Sequence, residues 1–458
     1  MMTDNGERGI DVKGTSARSG YVDLLRATAI VLVVIGHWLI TTLEREPDGS
    51  LAAPELMAAV PWTQWLTLVF QIMPVFFLAG GYAAAGSWIA CHAEGGTAAG
   101  WIRGRALRLL LPTGAYLVPA LGGLLIAAAF GADPTLLGMI GWALAMQFWF
   151  LPVYLTISAL TPWLYAAYRR WGFRSVAMTA VAAVGVDLVV LGAGTDWAEQ
   201  LGRLNYLLVW AVAYQLGFAW KGGGPTTRPW FGAVLVVGGA AGYAALVRFG
   251  PFPVSLVLVT GEEVSNTDPP SLAMLAWLFA QCGLCLSLAP LAERVLRSAR
   301  RMRFVDSLGR ISMTLYLWHM VPVLAAGAAF YLTDLAPEPT VGAGAWWAWR
   351  PVWILVLAAL FCLLLAVLRP VDGLLIRLAG RARPRAAISG AWRPLLLVAG
   401  LAATVWALAQ WAVQGLARGG SPAWPTVLAF VAGSTLVVSA GTRWAAAETT
   451  EVAVRQAG

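Results

Sequence analysis

Charge is what this sequence has least of: Asp, Glu, Lys and Arg make up 12% of its 458 residues, while hydrophobic residues make up 59%. Soluble domains carry roughly 25% charged and about 45 to 50% apolar residues, so a solvated surface cannot be covered here and a water-soluble enzyme is excluded. The mean hydropathy of +0.71 agrees. Cysteine is equally sparse. Of Cys91, Cys282, Cys285 and Cys362 only Cys91 falls in an expected loop, which excludes a disulfide framework. Cys282 and Cys285 have redox or metal spacing but sit in an apolar run with no other Cys or His close by in sequence, where free thiols pack as small hydrophobes. The histidines, His37, His92 and His319, are too far apart for His-x-x-x-His spacing, and no metal is expected. The alternating strands of roughly ten residues that build a membrane β-barrel are missing, as is any internal repeat. Residues 1–20 are polar and of mixed charge, with neither the apolar core nor the cleavage site of a signal peptide, and are expected to be a tail.

What is present are long apolar runs, at 22–43, 62–90, 106–131, 142–168, 175–195, 204–220, 229–248, 271–292, 304–333, 346–369, 393–415 and 425–444. A membrane helix needs about 20 such residues. The expectation is therefore an all-α, polytopic transmembrane helical bundle of about twelve spans. Arginines cluster in alternate loops, among them Arg103, Arg105 and Arg108, Arg169, Arg170 and Arg174, and the run from Arg294 to Arg303, while the intervening loops are acidic. The positive-inside rule then predicts both termini in the cytoplasm. It also accounts for the formal charge of +8, so no nucleic-acid partner is expected. The chain divides into a polar tail (1–20), a ten-helix unit (21–370), a basic inner loop with two appended helices (371–445) and a second tail (446–458). Tryptophans such as Trp62, Trp65, Trp346, Trp347, Trp349 and Trp424 fall at expected interfaces and read as aromatic belts against membrane lipid.

Ionisable residues inside a membrane helix are costly unless they are paired or face a cavity, which makes them functional candidates. The first span carries Arg26 and, after ten residues, His37. Eleven steps of roughly 100° end about 20° from three full turns, so the two lie on one face about 16 Å apart. His319 lies as deep in its span from residue 304 as His37 does in its own from residue 22, about 22 Å, so the two can share a midplane cavity. Either a role in that cavity or a plain interhelical hydrogen bond is open to His319. Asp187 and Gln147 are polar at membrane depth, with no role assigned by position alone.

The motifs, in order, resemble a known signature. Arg26 and His37 are followed by Met73-Pro-Val-Phe-Phe-Leu-Ala-Gly-Gly-Tyr82, by Arg105-Ala-Leu-Arg108, by Phe148-Trp-Phe-Leu151 and by Ser312-Met-Thr-Leu-Tyr-Leu-Trp-His319. This set is similar to that of the integral-membrane acyltransferases of family three, which O-acylate extracytoplasmic carbohydrates and related acceptors. Gly80 departs from the family's usual Ser. The resemblance runs from about residue 20 to 370 and leaves the last two spans uncovered. It implies transfer of an acyl group, acetyl by expectation, from cytoplasmic acyl-coenzyme A to a glycan or glycolipid hydroxyl, with no permanently bound cofactor. Such a transfer needs a base near neutral pH, a role suited to His37, with Arg26 and His319 as its catalytic companions. Arg103, Arg105 and Arg108 offer guanidinium forks for the donor phosphates. Some family members carry a fused extracytoplasmic hydrolase-like domain, for which the outer loops 44–61 and 249–270 are too short. The alternative is a proton-coupled secondary transporter or lipid flippase that uses Arg26, His37, Asp187 and His319 as its path.

Overall fold

The structure, a computed structural model, describes residues 19–441 except 47, 48, 50, 263, 332, 334, 336 and 382–391. The expected tails, apart from residues 19 and 20, and most of the arginine-rich stretch before Arg393 lie outside the described residues. The helices are α1 (Gly20–Ile40), α2 (Leu56–Ala59), α3 (Thr67–Phe70), α4 (Met73–Ala93), α5 (Ala98–Ala129) and α6 (Pro134–Ala145). They continue with α7 (Phe150–Ala159), α8 (Thr161–Trp171), α9 (Phe173–Ala193), α10 (Asp196–Gly202), α11 (Asn205–Gly222) and α12 (Pro229–Phe249). The last six are α13 (Leu272–Val295), α14 (Ala299–Trp318), α15 (Val321–Tyr331), α16 (Gly344–Arg381), α17 (Trp392–Gln414) and α18 (Trp424–Ser439). Two antiparallel hairpins of two-residue strands close outlying loops: β1 (Glu44–Arg45) with β2 (Leu51–Ala52), and β3 (Ala417–Arg418) with β4 (Ser421–Pro422).

Among the described residues nine helical segments are long and apolar enough to cross a membrane, and the bent pair α14 and α15 makes a tenth. The chain is a multi-pass membrane protein. Twelve spans were expected; α11 does not meet the same measure, and α18, at 16 residues, falls short of it in length. Large apolar side chains such as Val118, Phe249 and Val413 point outward, as a lipid-facing surface requires.

Three spans expected to be continuous are broken, each beside a proline. Pro74 stands at the start of α4, after a break at Gln71 and Ile72. Pro152 stands in the first turn of α7, after a 3-10 turn over Met146–Trp149. Pro322 is the second residue of α15, which is bent 52° from α14. A proline has no N–H to give the carbonyl four residues back and its ring crowds that oxygen, so each helix restarts rather than continues. In lipid the freed carbonyls need other donors. Leu68 O accepts from Trp277 Nε1 (3.0 Å) and Gln281 Nε2 (3.1 Å), and Leu144 O accepts from Tyr116 Oη (2.7 Å) and Gln147 Nε2 (2.9 Å).

The bundle is held by close backbone crossings. Where α4 meets α11, a Cβ on Gly81 would overlap the Tyr214 carbonyl and one on Gly217 would overlap that of Leu78. Small residues at such a crossing are what bring membrane helices into van der Waals contact. Gly81→Val should therefore abolish folding or lower the melting temperature steeply in detergent. Gly122→Ala, with nothing within 4 Å of its added Cβ, should be neutral or stabilising by about 0.5–1 kcal/mol. A Gly81→Val protein as stable as the parent would show that this crossing is not what holds α4 in place.

Candidate active site

The break after α14 builds the site. The last four carbonyls of any helix lack helical donors, and here side chains give donors to Tyr316 O, Leu317 O and His319 O. Gln147 Nε2 reaches Leu317 O at 3.3 Å, and Trp38 Nε1 donates to His319 O at 2.7 Å. His319 itself, fully buried, has Nδ1 2.8 Å from Tyr316 O. Its other nitrogen, Nε2, lies 2.8 Å from Nδ1 of His37 on α1.

A carbonyl oxygen only accepts, so His319 Nδ1 carries the proton. In the neutral ring Nε2 is then a lone pair, and it accepts from His37 Nδ1–H. That leaves the Nε2 of neutral His37 without a proton. The two rings are near-parallel, 12° apart with centroids 4.9 Å apart. This separation exceeds the N···N distance by about two ring radii, so the rings meet edge to edge in one plane and do not stack face to face. Trp38, packed on Phe361, and the Thr41 hydroxyl on His37 O (2.6 Å) fix the helix around the pair. The arrangement is a part-buried pair with one open lone pair, at His37 Nε2, suited to taking a proton from a substrate.

A cavity of about 310 Å³ runs from near this pair toward the arginine end of α1. Arg26, Ser87, Arg105 and Arg108 line one end, and Val33, Met73 and Phe76 line the other, with Tyr154, Ser158, Ser312 and Tyr316 between. His37 is not in the wall but lies one turn beyond Val33. Arg105 Nη2 donates to Ser87 Oγ (3.0 Å), its guanidinium lies 4.7 Å from the Trp101 ring, and its buried Nε has no partner. Three guanidinium groups of like charge on one cavity repel one another, and an anion between them would offset that repulsion. Gly80, the departure from the family segment, faces the Tyr154 ring: a Cβ there would stand 3.1 Å from the tyrosine hydroxyl. Tyr154 thus fills the space a serine side chain would take.

The structure thus brings His37 to His319 and places Arg26, Arg105 and Arg108 on one cavity, but it does not bring Arg103 there. Arg103 donates from Nε to Val437 O (3.0 Å) and from Nη2 to Val438 O (2.8 Å), at the end of α18. Asp187 Oδ2 accepts from Leu272 N (2.9 Å) at the start of α13, away from the histidine pair. Cys282 and Cys285 are buried, the former with Sγ 3.8 Å from Pro74 O. Among the described residues no three His, Cys, Asp or Glu side chains lie close enough to hold a metal. Tyr154, Ser87 and Trp38 escaped the sequence reading, since an aromatic or a serine in an apolar span carries no pattern of its own.

Nitrogen NMR of ring-labelled histidine at neutral pH should find His319 protonated at Nδ1 and His37 protonated at Nδ1 with a bare Nε2. A His37 protonated at Nε2 would overturn the assignment. Comparison with known proteins bears on what such a site does. Residues 19–369 match the family described as an acyltransferase domain. No curated protein and no solved structure gives a match. The match covers more than half of the chain, which therefore belongs to the membrane O-acyltransferase family three and is an acyltransferase of the cell membrane.

Proposed function

We propose that this enzyme moves an acyl group, acetyl first of all, from cytoplasmic acyl-coenzyme A to a hydroxyl of an extracytoplasmic carbohydrate or glycoconjugate, with His37 as general base. The observation that carries this reading is the free Nε2 of a histidine pair set just beyond one end of a cavity whose other end holds three arginines. In the transfer, His37 Nε2 takes the acceptor proton as the hydroxyl oxygen attacks the thioester carbonyl. The C–O bond forms, the C–S bond breaks, and the proton passes from His37 to the departing thiolate. His319 Nε2 accepts from His37 Nδ1–H throughout and stabilises the imidazolium formed between the two steps, the orienting role a third group plays in a catalytic triad.

Length supports a coenzyme A donor. The pantetheine arm has about twelve bonds from its phosphate oxygen to its sulfur, the reach of four extended residues or ~14 Å. Arg26 and His37 are about 16 Å apart along α1. A donor with its phosphates at Arg105, Arg108 and Arg26 therefore has its thioester beside His37. The arginine end is the cytoplasmic end when both termini are inside, the orientation that the arginine distribution among the loops favours. Arg103, occupied with α18, is left out of the donor site.

Kinetics on purified protein in detergent, following release of free coenzyme A from acetyl-coenzyme A with an envelope glycan extract as acceptor, test this directly. His37→Gln should lower kcat by about 10²- to 10⁴-fold with folding intact. His319→Ala should cost less than His37→Ala. Arg105→Ala and Arg108→Ala should raise the donor KM more than the acceptor KM, Arg26→Lys should lower activity sharply through loss of the planar fork, and Arg103→Ala should leave the donor KM unchanged. Full transfer by a well-folded His37→Gln protein would remove the mechanism.

A further inference from the structure

Helices α17 and α18 lie beyond the residues that match the family, yet they are not loosely attached. Their backbones touch: a Cβ on Gly400 would stand 2.7 Å from Gly433 O, and one on Gly433 would stand 2.8 Å from Gly400 O. Leu416 N donates to Gly141 O (3.0 Å) at one end of the pair, and Arg103 holds Val437 O and Val438 O at the other. Between these ends Trp411, 1% exposed, packs against Phe430 of α18 (ring centroids 5.5 Å apart) and Phe148 (6.2 Å).

Phe148 belongs to the 3-10 turn between α6 and α7, and that turn is joined to the catalytic histidines. Next to it, Gln147 donates from Nε2 to Leu317 O, and its main-chain oxygen accepts from Tyr316 Oη at 2.5 Å. Tyr316 O in turn holds His319 Nδ1, and His319 holds His37. A 3-10 turn has poorer hydrogen-bond geometry than an α-helix and keeps its shape only where packing imposes it. Here Trp411 packs on it. Catalytic groups need placement to about 0.5 Å, and a shift of about 1 Å can cost ~10²-fold in rate.

We propose that Gln147 and Trp411 are positioning residues of the transferase, acting through His319, and that the appended helical pair is the brace that sets the histidine pair in its working geometry. The proposal rests on the reading of His37 and His319 as the proton relay. Neither residue lines the donor cavity, so the effect falls on the chemical step and leaves donor binding alone.

The test uses the full chain and the coenzyme A release assay with acetyl-coenzyme A and an envelope glycan extract. Gln147→Leu, which keeps the volume but removes both amide donations, and Trp411→Leu should each lower kcat about 10- to 10²-fold with the donor KM within about twofold. Trp411→Phe should restore most of the rate. In a His319→Ala background, Gln147→Leu should cost less than about twofold more, because two changes acting through one group do not add. Melting curves separate folding from chemistry, and if Trp411→Leu fails to fold, Gln147→Leu and Trp411→Phe carry the test. Losses that multiply in the double variant, that appear in the donor KM, or that are absent would overturn the brace while His319→Ala alone remained impaired. Full activity in His319→Ala would instead overturn the relay reading beneath it.

Discussion

A helix interrupted inside a membrane leaves carbonyl oxygens that no water can reach, and the need to give each of them a donor shapes this protein's centre. At the end of α14 the donors are a tryptophan from α1, a glutamine from the turn before α7 and the ring of His319 itself. Spending Nδ1–H on Tyr316 O makes the opposite nitrogen of His319 an acceptor. That acceptor fixes the proton on His37 Nδ1, and the lone pair left on His37 Nε2 follows from the same chain of donations. A structural requirement of the backbone thus leaves a bare imidazole nitrogen on His37.

The other two breaks add to this arrangement. The restarts at Pro74 and Pro152 bring Phe76, Phe150 and Tyr154 to the cavity wall, which Ser312 and Tyr316 of α14 complete. Phe76 meets Phe150 and Tyr154 edge to face while Phe150 and Tyr154 stack, with centroids 4.9 to 5.5 Å apart, giving a stiff apolar wall between the arginines and the histidine pair. Charge is segregated: guanidinium groups gather at one end, and two imidazoles stand beyond the other. A donor with anionic phosphates and an uncharged thioester is polarised in the same sense.

Much of this was legible in the sequence, for physical reasons that can be named. Helical periodicity put Arg26 and His37 on one face, and equal depth put His319 near His37, because both depend only on rise and angle per residue. The breaks were also written there, in Pro74, Pro152 and Pro322, but an apolar run looks continuous when only its hydropathy is read. The different fates of the arginines were written in their spacing as well. Arg105 and Arg108 are three apart and share a face, whereas Arg103 is two residues from Arg105 and points elsewhere. What the sequence could not convey is tertiary. Nothing local says that Trp38 will meet His319 O, that Tyr154 will occupy the space at Gly80, or that Trp411, more than 90 residues past the last histidine, will pack on the turn that carries Gln147.

If His37 is the base, donor and base meet at the end of the arginine cavity nearest His37, and the structure of the protein bound to a thioether analogue of acetyl-coenzyme A would show whether they do. The phosphates should lie at Arg105 and Arg108 and the acetyl carbon within roughly 6 Å of His37 Nε2, the sum of one proton-transfer hydrogen bond and one near-attack contact. An analogue whose acetyl end lies away from His37, or whose phosphates bind outside the cavity of Arg26, Arg105 and Arg108, would contradict it.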